Sequence, residues 1–134
     1  MSIAILFVSA CVIFLILDAL MLTFVMRPLF ERHLGDQMLT ELRLIPAALF
    51  YLGYIAGLTY LVSVPALKTG DPWSALLPAA IIGAMAYGTY EFTSYAIMKS
   101  WHPSMVIVDV AWGTVATALV AAGSVWVTRA LTSG

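Results

Sequence analysis

The chain has 134 residues, of which 63% are hydrophobic and 10% are charged, and its mean hydropathy is +1.01. Soluble domains are about 45–50% apolar and about 25% charged, so this composition excludes an ordinary soluble domain. Six Lys and Arg against seven Asp and Glu give a formal net charge of −1, which provides no field to attract nucleic acid. The length suits one domain, and the composition predicts a polytopic protein of the lipid bilayer.

Four apolar segments are long enough to cross a membrane. A spanning helix needs about 20 mostly apolar residues because the hydrocarbon core is about 30 Å thick. Every Lys and Arg lies outside these segments, and the segments are too long and too uniform in polarity for barrel strands. We therefore predict an all-α fold, a four-helix bundle in a single transmembrane domain. Its spans cover roughly 2–26, 44–67, 75–98 and 105–127.

The first connecting loop, 27–43, has apolar residues at spacings of three and four, which predicts a short interfacial amphipathic helix between spans 1 and 2. Gly35 is expected to interrupt it. The apolar face of this helix comprises Leu29, Phe30, His33, Leu34, Met38, Leu39 and Leu42.

Loop charge predicts the orientation. The first and third loops lie on one side of the membrane and carry Arg27, Arg32, Arg43 and Lys99. The other side has Lys68, Arg129 and the α-amino group. The positive-inside bias places loops one and three in the cytoplasm and both termini outside, in a bacterial inner membrane. Trp73, Trp101 and Trp126 lie near span ends, where indole rings favour the interface.

Small residues at four-residue steps predict close helix contacts. The second span has Gly53 and Gly57 in a G-x-x-x-G pattern. Two further stripes are Ala80, Ala84 and Gly88 in the third span and Gly113, Thr117 and Ala121 in the fourth. These faces fit either an intramolecular bundle or a homodimer.

Three carboxylates lie inside the spans: Asp18, Glu91 and Asp109. Each costs about 2.5–3.5 kcal/mol near a helix centre, and such residues usually face protein or a water-filled cavity. Asp18 and Glu91 lie about 6 and 7 Å past their span midpoints, toward the first and third loops. Asp109 lies one turn inside the fourth span, which starts at the third loop. All three therefore occupy the same half of the bilayer.

Aromatic residues accompany these acids. Tyr51 and Tyr54 enter the second span from the same side, while Tyr87 and Trp112 share helical faces with Glu91 and Asp109. The sequence predicts a ligand-binding pocket of Asp18, Tyr51, Tyr54, Tyr87, Glu91, Asp109 and Trp112. Its mouth is expected near Arg27, Arg32, His33, Arg43, Lys99 and His102. The alternative is structural: the acids protonate or accept hydrogen bonds from Tyr, Thr and Trp donors, and only hold the bundle together.

The pattern assigns no catalytic residue, metal site or cofactor, because it contains no triad signature, phosphate loop or metal motif. Three functions stay open. The pocket could bind or transport a polar, cationic or lipid-headgroup ligand. The chain could be an accessory subunit of a larger respiratory, photosynthetic or transport complex. It could also be an intramembrane enzyme acting on a lipid-like substrate.

The residues around the acids also resemble a known family. The motifs that carry the resemblance are Leu17-Asp18, Phe50-Tyr51 with Gly57, Tyr87-Gly88-Thr89-Tyr90-Glu91-Phe92-Thr93 and Val108-Asp109-Val110-Ala111-Trp112-Gly113. They are similar to those of a bacterial domain-of-unknown-function family of small four-span integral membrane proteins. The resemblance covers nearly the whole chain and implies a four-helix membrane fold, but no activity. The family pattern has Asp where this chain has Glu91.

Overall fold

The computed structural model describes residues 2–35 and 44–132. Across these two ranges the chain is helical and contains no strand, which confirms the all-α prediction. A 3-10 turn at Pro72–Ala75 precedes α5. The helices are α1 (Ser2–Met21), α2 (Arg27–Leu34), α3 (Leu44–Leu58), α4 (Val64–Thr69), α5 (Leu76–Ile97) and α6 (Pro103–Thr132).

α1 and α2 form one continuous helix, Ser2–Leu34. A π-helical turn at Leu22–Met26 joins them just before Pro28. Proline has no N–H for the helical hydrogen-bond ladder and its ring crowds the preceding turn, and a widened π turn accommodates both defects. α3 and α4 are joined in the same way, across a π turn at Thr59–Ser63.

The segment predicted as a separate surface helix thus continues directly from α1 through the π turn. α2 starts directly from the π turn and ends at Gly35, whose φ of 53° lies in the left-handed region that favours glycine. Leu29, Phe30 and Leu34 of its apolar face pack against the protein itself, on a small cluster around Trp101. His33 stacks on His102, and the remaining residues of the predicted amphipathic face, Met38, Leu39 and Leu42, lie outside the described residues.

Three helices of the described chain are long and apolar enough to cross a membrane: Ser2–Leu34, Ile45–Thr69 and Pro103–Thr132. α5 has 22 residues, a length of about 33 Å. Its C-terminal half holds Tyr, Thr, Ser and Glu side chains, and α5 is not among the three helices that are apolar enough by this measure. The limits of the four spans stay a prediction.

α6 is the central helix and packs against α1 and α5 along most of its length. α5 and α6 approach each other closely at two glycines. A methyl group on Gly83 would overlap the carbonyl oxygen of Gly113, and one on Gly113 would overlap the ring of Tyr87. Thr117 and Ala121, one and two turns further along α6, are fully buried.

The small-residue stripes therefore differ in their roles. The predicted stripe on α6 is a packing face. On α5, the structure buries Ala79 and Gly83, one position away from the predicted stripe beginning at Ala80. The glycine pair on α3 meets no atom within 4 Å of the position where a side chain would start.

The tryptophans near the predicted span ends differ in their exposure. Trp73 and Trp126 are 74% and 65% exposed, and their place at the membrane interface stays a prediction. Trp101 is only 6% exposed, so its ring packs inside the protein instead of facing lipid or water. It is buried in the short connection between α5 and α6.

Candidate functional site

A cavity of about 800 Å³ lies between α1, α2, α3, α5 and α6. Its volume falls within the range of about 300–1,000 Å³ that is common for small-molecule sites. Its polar walls come from Asp18 of α1, Asp109 of α6 and the Arg27–Glu31 pair of α2. Its aromatic walls are Phe30, Phe50, Tyr51, Tyr87, Tyr90 and Trp112.

Asp18 and Asp109 reach the cavity from different helices. Asp18 is half-buried, and its carboxyl group lies within hydrogen-bonding range of the hydroxyl of Tyr51 on α3. Phe14, one turn before Asp18, is buried and holds the Tyr51 ring at a centroid distance of 5.0 Å. Asp109 is 8% exposed and close enough to Asp18 for the two carboxyl groups to interact electrostatically.

Glu91 lies behind Asp109 and does not line the cavity. It is fully buried, and its Oε1 accepts a hydrogen bond of 2.9 Å from the indole Nε1–H of Trp101. The side chains of Glu91 and Asp109 are in hydrogen-bonding range of each other. Ionised carboxylates only accept hydrogen bonds, so a bond between these two groups requires a proton on one of them.

Trp101 connects this acid pair to α2. Its ring meets Phe30 of α2 edge-on at 5.3 Å and Tyr90 of α5 edge-on at 5.6 Å. Sequence reasoning missed this residue because it lies at a span end. The signal that could have found it is its place in a very short connection, ten residues after an acid that needs a donor.

Two donors in the cavity wall have no partner. The hydroxyl of Tyr87 and the indole Nε1–H of Trp112 are buried, and neither meets an acceptor among the described residues. Buried polar groups in proteins are nearly always hydrogen-bonded, so unpaired donors beside a cavity indicate a site for an acceptor or for water. The hydroxyl of Tyr54, by contrast, bonds with Thr117 Oγ1 at 2.9 Å.

An ion pair lies toward the loop end of the cavity. Nε of Arg27 donates to Oε1 of Glu31 at 3.0 Å, and both side chains are more than half exposed. Arg27 is nine residues after Asp18, which corresponds to about 14 Å along the helix. The backbone of Arg27 is thus more than two helical turns away from that of Asp18.

The predicted site residues are distributed as follows. Asp18, Tyr51, Tyr87, Asp109 and Trp112 line the cavity, whereas Tyr54 and Glu91 do not.

Of the predicted mouth residues, Arg27 lines the cavity. His33 and His102 stack on each other at 4.2 Å, away from the cavity lining. Arg32 and Lys99 are exposed and also lie off it. Arg43 falls outside the described residues.

Comparison with known proteins identifies the chain at the level of a family. No curated protein and no solved structure matches it. The model of a family described as "Predicted membrane protein (DUF2177)" matches residues 3–126, nearly the whole chain. This match confirms the resemblance to a membrane protein family of unknown function and, with the long apolar helices, implies contact with the lipid bilayer. The chain belongs to the DUF2177 family of predicted membrane proteins.

Proposed function

We propose that this protein binds a lipophilic organic cation in the cavity beside Asp18 and Asp109. The observation that carries the proposal is the composition of the cavity wall. Two carboxyl groups from different helices lie among six aromatic side chains. Arg27 is the one cationic residue that the described part of the chain contributes to this cavity, and it is already paired with Glu31.

Both kinds of wall favour positive charge. Carboxylates attract a cation directly, and the attraction is much stronger in a protein interior than in water. Aromatic faces add about 0.5–2 kcal/mol each through cation–π interaction, and quaternary ammonium groups are commonly bound by such aromatic surroundings. The aromatic residues come from α2, α3, α5 and α6, so they surround the carboxyl groups on several sides.

The rest of the wall favours an amphiphile. Ala19, Leu22, Met26 and Ala86 contribute apolar surface to the same cavity. Leu22 is 46% exposed, so the cavity borders a surface that faces lipid in a membrane-embedded helix. A ligand with a cationic head and an alkyl tail would place its head at the carboxyl groups and its tail along this apolar side.

A photoreactive alkyltrimethylammonium probe tests the proposal. The protein in a non-ionic maltoside detergent is titrated with the probe, and crosslinks are mapped by mass spectrometry. We expect labelling on α1 and α3 near Asp18 and Tyr51, together with weak labelling by a neutral alcohol of the same chain length. Asp18→Asn and Asp109→Asn should each weaken probe binding about tenfold or more, because each removes one charge from a site of low dielectric.

Asp71→Asn is the matched control. Asp71 is exposed, lies far along the chain from the cavity and accepts a hydrogen bond from the backbone N–H of Trp73 at 3.0 Å. Asn caps a helix about as well as Asp, so this variant should fold and bind the probe normally. Equal labelling by the cationic and neutral probes, or undiminished binding in both cavity variants, would refute the proposal.

A further inference from the structure

We propose that the acid pair Glu91–Asp109 exchanges a proton for the bound cation, so that each cation that enters the cavity displaces one proton. The inference rests on the proposed cation site and adds a coupling between that site and pH. Its basis is the arrangement of the two carboxyl groups, of which one lines the cavity and the other is buried behind it.

The first step concerns the empty site. The Glu91 and Asp109 side chains lie in hydrogen-bonding range, and that contact needs one shared proton. Oε1 of Glu91 is held by the Trp101 indole, whereas no nitrogen or hydroxyl donor of the described residues reaches the fully buried Oε2. The shared proton therefore stabilises the pair when no cation is present.

The second step concerns the surroundings of the pair. The titratable and charged groups that face it across the cavity are Asp18 on α1, the Arg27–Glu31 ion pair on α2, Tyr51 on α3, and Tyr87 and Tyr90 on α5. Asp18 adds negative charge, and the tyrosines are neutral at physiological pH. Arg27 is held at the loop end by Glu31. Among the described residues, therefore, no unpaired positive charge lines the cavity beside the carboxyl groups until a cation binds.

The third step balances the exchange. When the ammonium head enters beside Asp109, its charge stabilises the ionised forms of both acids, and the shared proton leaves for water. The O–H bond of the pair breaks, no other covalent bond changes, and one positive charge replaces another. The indole N–H of Trp101 continues to donate to Glu91 and stabilises the ionised form of that carboxyl group. The site keeps the same net charge before and after binding.

Proton release by the wild-type protein decides the inference. A weakly buffered sample in maltoside detergent, containing a pH indicator dye, receives the alkyltrimethylammonium probe, which has no titratable proton of its own. We expect release of about one proton per bound probe and an affinity that rises with pH by up to about tenfold per unit, as linkage requires for one exchanged proton. Dissociation constants measured from about pH 5 to about pH 8 give that slope.

Glu91→Gln sharpens the result. The amide keeps an oxygen for the Trp101 indole and supplies an N–H for Asp109, so it holds that carboxylate ionised without a shared proton. We expect this variant to bind the probe with an affinity that no longer changes with pH, and to release no proton. The control, Asp71→Asn, should release protons as the wild type does.

The possible failures are distinguishable. A wild type that binds the probe without releasing protons, and with a constant dissociation constant, overturns the exchange and leaves the cation site standing. A wild type that binds no probe at any pH overturns both. If Glu91→Gln fails to fold, two wild-type measurements still test the exchange: the number of protons released per bound probe and the change of affinity with pH.

Discussion

The α5–α6 pair is built differently at its two ends. Toward the middle of the helices, Gly83 and Gly113 bring the backbones together, and Thr117 and Ala121 are fully buried beside them. Toward the connection between the helices, the facing residues are the acids Glu91 and Asp109. One end is thus closed by small side chains, and the other borders a cavity.

Hydrogen bonding follows the same division. On the closed end of α6, the hydroxyls of Thr117, Ser124 and Thr128 all have partners. At the cavity end, the hydroxyl of Tyr87 and the indole N–H of Trp112 have none among the described residues. We infer that close packing at one end supplies the stability that allows the other end to retain unpaired polar groups.

The largest expected effect comes from opening the closed end. Gly83→Ala places a methyl group against the backbone carbonyl of Gly113, and a backbone atom cannot move aside as a flexible side chain can. We expect a loss of about 3 kcal/mol, at the upper end of the usual cost of overpacking. The loss should be visible as a lower midpoint in detergent-mediated unfolding.

Gly53→Ala provides the comparison for this variant. No atom lies within 4 Å of the position that an added methyl group would take on Gly53, so the same change adds only helix propensity there. We expect its unfolding midpoint to stay at or above that of the wild type. If both glycine variants behaved alike, the close α5–α6 contact would not be the source of stability.

A smaller effect is expected at the boundary between the two ends. Trp101→Phe keeps an aromatic ring against Phe30 but removes the N–H that donates a hydrogen bond to Glu91. A buried carboxyl group that loses its donor costs about 1–3 kcal/mol. Thermal unfolding in detergent measures this loss, with Trp73→Phe as the control because Trp73 is 74% exposed. Equal losses in the two variants would contradict a specific role for the indole.

The all-α fold was predictable because long apolar helices can be recognised from the hydropathy of their own residues, without knowledge of their contacts. The helix limits were less so. Arg27 and Pro28 end the apolar run, yet the helix continues to Leu34 because a π turn accommodates the proline. Composition carries no information on that hydrogen-bond continuity. The packing face of α5 was missed for a similar reason, since Ala79 and Ala80 are equally small and only the position of α6 selects between them.

The candidate site shows what depth alone can predict. Asp18 and Asp109 lie by one cavity because residue counts along helices of known rise fix how deep each acid lies. Rotation about the helix axis is not fixed in this way. Glu91 therefore lies beside Asp109 but does not line the cavity. Tyr54 bonds with Thr117 and does not line it either. Trp101 is buried and donates to Glu91, a contact between a loop and a helix that periodicity does not report.

The smallest expected effects come from two Tyr→Phe substitutions, which should change the stability of the protein in opposite directions. Tyr54→Phe removes a hydroxyl that bonds with Thr117 Oγ1 at 2.9 Å, and should cost about 1 kcal/mol. Tyr87→Phe removes a buried hydroxyl that has no partner among the described residues, so it should leave stability unchanged or raise it by about 1 kcal/mol. Unfolding midpoints of both variants, measured in the same detergent without added ligand, give the two signs. A loss of stability in Tyr87→Phe equal to that in Tyr54→Phe would mean that an acceptor already occupies the cavity, and the two ends of the α5–α6 pair would then be equally well hydrogen-bonded.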